Sequence, residues 1–132
     1  MSNIELLEKT LPVAPLKIVA MESCRDLGQK VNDYIVSFRE NTINEVSESS
    51  LYVNYKSNNY LVDCCCPRFG TGEAKGILRE TIRGTDLFIM TDVCNYSLTY
   101  TVSGHLNHMS PDDHYQDLKR IISAATGKAK RI

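Results

Sequence analysis

The sequence predicts an α/β fold, a mostly parallel sheet flanked by helices. Three observations carry the prediction. Two short apolar runs, "APLKIVA" (14–20) and "TDLFIMTD" (85–92), have the length and character of buried strands. The first is followed at once by apolar residues at helical spacing: Leu27, Val31, Tyr34 and Phe38. Near the end of the chain, Ser110-Pro111-Asp112-Asp113 supplies a hydroxyl N-cap, a proline whose missing N–H costs nothing there, and acids at the positive end of a helix dipole.

The elements follow in order. After the first strand, which ends at Ala20, Ser23 is expected to open the first helix, with Asp26 as a weak capping-box acid. Its apolar face is expected to be Leu27, Val31, Tyr34 and Phe38. From Glu40 to Tyr60 the composition turns polar, yet Leu51, Val53 and Tyr55 alternate as in a half-exposed strand. The spacing predicts an added hairpin with Ser57-Asn58-Asn59 as its turn and "YLVDCCC" as the returning strand. "TDLFIMTD", introduced by Gly84, is the next buried strand, and a short strand is expected around Leu98 to Val102, followed by a loop. The final helix should carry Tyr115, Leu118, Ile121, Ile122 and Ala125 inward and stop at Gly127.

At 132 residues, 42% hydrophobic and 23% charged, the chain has the composition of one globular domain. Its net charge of -1 supplies no global field to collect nucleic acid or an anionic membrane, so any anion site must be local. No apolar run approaches the ~20 residues of a membrane-spanning helix. Met1 to Thr10 lacks the basic start and apolar middle of a signal peptide, and a cytoplasmic location is expected.

The five cysteines are Cys24, Cys64, Cys65, Cys66 and Cys94, with no C-x-x-C pair, which fits neither a disulfide framework nor a zinc ribbon. In an extended strand Cys64 and Cys66 share a face that Cys65 cannot join. His105 and His108 have helical spacing, but matched ligand pairs are missing, so no metal site is expected and the cysteines read as small buried apolar groups.

The segment "RFGTGEAKGILRETIRGTDLFIM" (68–90) carries the functional signal. Gly70 and Gly72 around Thr71 make a tight turn that presents Thr71 and Glu73 and lets backbone come close to a ligand or a second subunit. A plain turn between strands has the same composition. The segment lacks the lysine and hydroxyl of a P-loop, and no G-x-G-x-x-G occurs.

"RFGTGE" followed by Arg83 in "ETIRGTDLFIM" resembles the segment of ribose-phosphate pyrophosphokinases that reads Phe-Ser-Asp/Asn-Gly-Glu, then Glu-Ser-Val-Arg-Gly-x-Asp-Val and an apolar strand. "DDHYQDLKRIISAATGKAKRI" is similar to the next helix and strand lead-in of that family, and "LKIVAMESCRDLGQKV" to its opening strand and helix. Three departures mark a divergent, enlarged member: Thr71 in place of the family's Asp or Asn, the 40–60 insertion, and a longer loop from Asp92 to Met109.

The resemblance implies a phosphoribosyltransferase-like N-terminal domain of a longer two-domain protein. In that reading "KAKRI" leads into a strand of which only Ile132 is present, and the catalytic half, with its ligands for Mg²⁺, lies downstream. It implies transfer of diphosphate from ATP to ribose 5-phosphate, a homo-oligomer, no catalytic or metal residue in this chain, and an isolated fragment that is inactive. Phe69, Thr71 and Glu73 would reach across a subunit interface to the adenine and ribose of ATP, and Arg83 would face a regulatory anion. For Arg83 an ion pair with Glu80 or Asp86 is the alternative. For the whole protein the alternative is a non-catalytic homologue used for assembly or regulation.

Overall fold

A computed structural model describes residues 14–45 and 57–132. Two parallel strands form the centre: β1, Leu16–Ala20, and β4, Asp86–Met90, paired from Leu16↔Asp86 to Ala20↔Met90. Each outer edge continues as a single parallel bridge, Ile18↔Leu61 on the β1 side and Asp86↔Arg131 on the β4 side. The architecture is therefore α/β with a parallel central sheet. Two small antiparallel pairs accompany this sheet, one between β1 and β4 in the chain and one after β4. β2, Cys64–Cys65, pairs with β3, Ile77–Leu78, and β5, Thr99–Val102, pairs with β6, His105–His108.

Helix α1 spans Arg25–Glu45, and α2 spans Pro111–Ala125. The core gathers Val19, Met21, Val62, Cys64, Ile82 and Leu87 from strands and connections with Ile121 and Ala125 from α2. Among the described residues no helix is long and apolar enough to cross a membrane.

Several expectations are corrected. Ser23 does not cap α1: residues Glu22–Cys24 form a 3-10 turn without a side-chain cap. The Ser23 hydroxyl instead accepts from the Asp92 N–H at 2.9 Å and lies 3.3 Å from the Thr91 hydroxyl, tying the end of β1 to the end of β4.

Of the face expected to be inward on α1 only Val31 is partly covered, and the other three residues are outward. Leu27 and Tyr34 are 55% and 71% exposed, and Phe38 also lies at the surface, stacked on Tyr34. Among the described side chains of α1 the buried positions are Gly28 and Asn32. Gly28 allows the helix to approach β1 closely, and Asn32 Oδ1 accepts the Tyr60 N–H at 2.8 Å. Close approach and a backbone bond outweigh the apolar spacing.

The expected hairpin over 40–60 is also revised. Its first residues continue α1 to Glu45, while Leu51, Val53 and Tyr55 lie outside the described residues. Ser57 and Asn59 do form the turn, with the Ser57 hydroxyl donating to Asn59 O at 2.8 Å. The segment after it runs parallel to β1, with Ile18 N–H donating to Tyr60 O and Val62 N–H to Ile18 O, both at 2.8 Å. An added hairpin does exist, at 99–108, where a strand followed by a loop was expected. His105 and His108 thus sit on a strand and lack helical spacing in space.

Helix α2 starts as expected, with a reciprocal capping box between Ser110 and Asp113. Its inward set is His114, Asp117, Ile121 and Ala125, with Leu118 partly buried; Tyr115 and Ile122 are exposed. Gly127, at φ 76°, ends it.

Candidate functional site

The turn at 68–74 closes on itself. Arg68 and Ala74 form an antiparallel bridge, Phe69 N–H donates to Glu73 O at 2.6 Å, and Gly72 N–H donates to Phe69 O at 2.8 Å. Gly72 has φ 88°, a conformation that side chains disfavour, so glycine is required there. With these backbone groups satisfied locally, the side chains are free to project. Phe69 is 48% exposed, and Thr71 and Glu73 are exposed as well. The structure brings these three together on one surface turn.

The base of the turn is held by charge. Arg68 Nη2 lies 3.1 Å from Asp117 Oδ2, with the two side chains 11% and 9% exposed, and Arg120 Nη1 lies 2.6 Å from Asp117 Oδ1. Two guanidiniums thus occupy both oxygens of one buried carboxylate, the geometry that makes such burial tolerable. The Arg68 guanidinium also lies 4.5 Å from the Tyr100 ring centroid. The Cys66 thiol contacts Asp117 O at 3.8 Å, and burial, reinforced by the Asp117 charge, pushes it up to about 12.

Arg68, Asp117 and Tyr100 were not singled out by the sequence reading. Arg68 opens the segment "RFGTGE" and Asp117 takes an inward helical position of α2, but their meeting is a long-range event without a local signature. Together with Cys66 and His114 these residues line a cavity of ≈ 90 Å³. That is well below the ~300 Å³ of the smallest usual ligand pockets, so the turn offers its chemistry outward.

Arg83 lies apart from the turn, exposed on the connection between β3 and β4. Neither expected ion pair forms: Glu80 faces Lys17 at 3.4 Å, and Asp86 is engaged by Arg131. Arg83 shares an open cleft with Lys75, Thr81 and Lys128, a local concentration of cationic side chains. Among the described residues no group of three His, Cys, Asp or Glu side chains could hold a metal ion, so none is assigned to Mg²⁺.

Residues 16–132 match the family model described as the N-terminal domain of ribose phosphate pyrophosphokinase. Neither a curated protein nor a solved structure matches the chain.

Proposed function

Because this chain belongs to the family of ribose phosphate pyrophosphokinase N-terminal domains, we propose that it is the N-terminal domain of a ribose-phosphate diphosphokinase. The complete protein then transfers the diphosphate of ATP to ribose 5-phosphate to give 5-phosphoribosyl 1-diphosphate. The observation that carries the reading is the self-closed turn that leaves Phe69, Thr71 and Glu73 exposed together. An aromatic face, a hydroxyl and a carboxylate exposed side by side form a set that can meet a base and a sugar.

In this reading the turn serves the nucleotide of a neighbouring subunit in a homo-oligomer. The Phe69 ring offers a face to the purine, the Thr71 hydroxyl donates or accepts at the base or sugar, and the Glu73 carboxylate accepts from ribose hydroxyls. These groups orient the nucleotide, and orientation is a principal part of catalysis in transfers at phosphorus. Arg83 is the proposed contact for a regulatory anion, its fork suited to phosphate oxygens. The isolated domain would supply adenosine-side contacts and no turnover.

The test is a coupled assay of the complete protein with ATP, Mg²⁺ and ribose 5-phosphate. Phe69→Ala should raise the ATP KM by about 5- to 150-fold, the span of one aromatic–base stacking contact, with little change in the ribose 5-phosphate KM. An unchanged ATP KM combined with lost stability would assign Phe69 to packing. Thr71, where the family carries Asp or Asn, favours a second reading as a non-catalytic regulatory or assembly homologue. ATP binding without product formation by the complete protein would establish that one.

A further inference from the structure

The β5–β6 hairpin stands over the 68–74 turn in a manner that its sequence explains. "TYTVSGHLNH" alternates so that Tyr100 and Val102 share one face while Thr99 and Thr101 take the other. Thr99 and Thr101 are exposed, whereas Tyr100 and Val102 are partly buried. Two residues with positive φ, Ser103 at 49° and Gly104 at 80°, connect the strands as a tight hairpin requires.

The hairpin meets the turn at three places, two on its covered face and one at its connecting turn. The Tyr100 ring lies against the Arg68 guanidinium at 4.5 Å. Val102 packs over Gly72, its nearest methyl 3.5 Å from where a β-carbon on that glycine would stand. The Ser103 hydroxyl donates to Gly70 O at 3.4 Å. One hairpin, distant in sequence, therefore contacts the stem, crest and flank of the turn, and the Arg68–Asp117 pair fastens the same stem to α2.

We infer that the β5–β6 hairpin positions the 68–74 turn, with Tyr100 as the principal positioning residue through its ring on Arg68. The consequence for nucleotide binding rests on the reading of that turn given above; the mechanical role does not. Tyr100 holds Arg68 in the rotamer that reaches Asp117, and Val102 covers the glycine on which the turn pivots. Without the hairpin, Phe69, Thr71 and Glu73 remain present but sample a wider range of orientations.

The chain contains no tryptophan, so Phe69→Trp introduces a single reporter. Time-resolved anisotropy in that background should show faster local motion of the indole when Tyr100→Ala is added and no change when Tyr100→Phe, which keeps the ring face, is added. Without the reporter, Tyr100→Ala in the complete protein should raise the ATP KM by about 2- to 30-fold, the span of a cation–π contact, leaving the ribose 5-phosphate KM unchanged. Tyr100→Phe should retain the ATP KM. If Tyr100→Ala does not fold, Tyr100→Leu keeps apolar volume without the ring face and carries the same comparison. Unaltered indole motion in the folded ring-less variant overturns the positioning role. So does a Tyr100→Phe variant that behaves like Tyr100→Ala. Loosened indole motion with an unaltered ATP KM upholds the positioning role and overturns the nucleotide reading instead.

Discussion

Gly28 of α1 lies so close to Ala20 of β1 that a β-carbon on residue 28 would stand 2.1 Å from the Ala20 β-carbon. Neither atom can rotate away, so any side chain there must lift the helix from the strand. Gly28→Ala should therefore destabilise the fold by about 1–3 kcal/mol despite the better helix propensity of alanine. Denaturant titration measures it, and a stabilised variant would show that α1 does not rest on this contact.

Neighbouring isoleucines on α2 should respond very differently. Ile121 is fully buried in the core, while Ile122 is 38% exposed. Truncating Ile121 to alanine should cost ~2–5 kcal/mol because a packed side chain leaves a cavity. Ile122→Ala should cost distinctly less. Equal losses in parallel urea titrations would place the inward face of α2 wrongly.

Acid should release the outer edge of the sheet. Arg131 donates to Asp86 from Nε at 2.7 Å, and Leu87 N–H donates to Arg131 O at 2.9 Å, so the ion pair fastens residue 131 beside β4. The hydrogen bond from Arg131 holds the Asp86 carboxyl below its ordinary 3.8. A carboxylate depressed by folding contributes stability above its unfolded value and loses it as pH falls through the folded one. Wild type should therefore melt above Asp86→Asn at neutral pH, and the gap should close in acid below 3.8. A gap that persists at full protonation would point to a cause other than the charge.

The thiols should separate by reactivity. Burial pushes Cys64 up to about 11 and Cys66 up to about 12, and burial also raises Cys24, whereas Cys94 is exposed. At neutral pH a thiol near 11 is thiolate in roughly one molecule in ten thousand, and the thiolate is what alkylates. Peptide mapping after brief iodoacetamide treatment should find Cys94 modified first, with Cys64 and Cys66 reacting only after unfolding. Early labelling of Cys66 would contradict its enclosure beside Asp117.

What could be read in the chain was local. "APLKIVA" and "TDLFIMTD" contain β1 and β4, and Ser110 to Asp113 mark the start of α2 because capping is settled within one turn of backbone. The glycine turn presenting Phe69, Thr71 and Glu73 was legible for the same reason, since Gly72 alone accommodates its positive φ. The first helix was legible as a helix but not in its orientation. Apolar spacing favours Leu27, Val31, Tyr34 and Phe38, whereas contact favours Gly28 and Asn32, and only the partner strand shows that close approach prevails.

By itself the sequence determined the α/β class, the helix start at Ser110, the turn at 70–72 and a family resemblance over most of the chain, all written in adjacent residues. Tertiary structure alone decided which side of α1 meets β1, that residues 60–62 run parallel to β1, and that 99–108 folds as a hairpin against the turn. It also decided that Arg68 meets Asp117, a pair 49 positions apart. The physical reason is that desolvation and pairing are properties of the assembled environment. A buried carboxylate needs its guanidinium wherever the chain brings one, and neither residue carries a local mark of its partner.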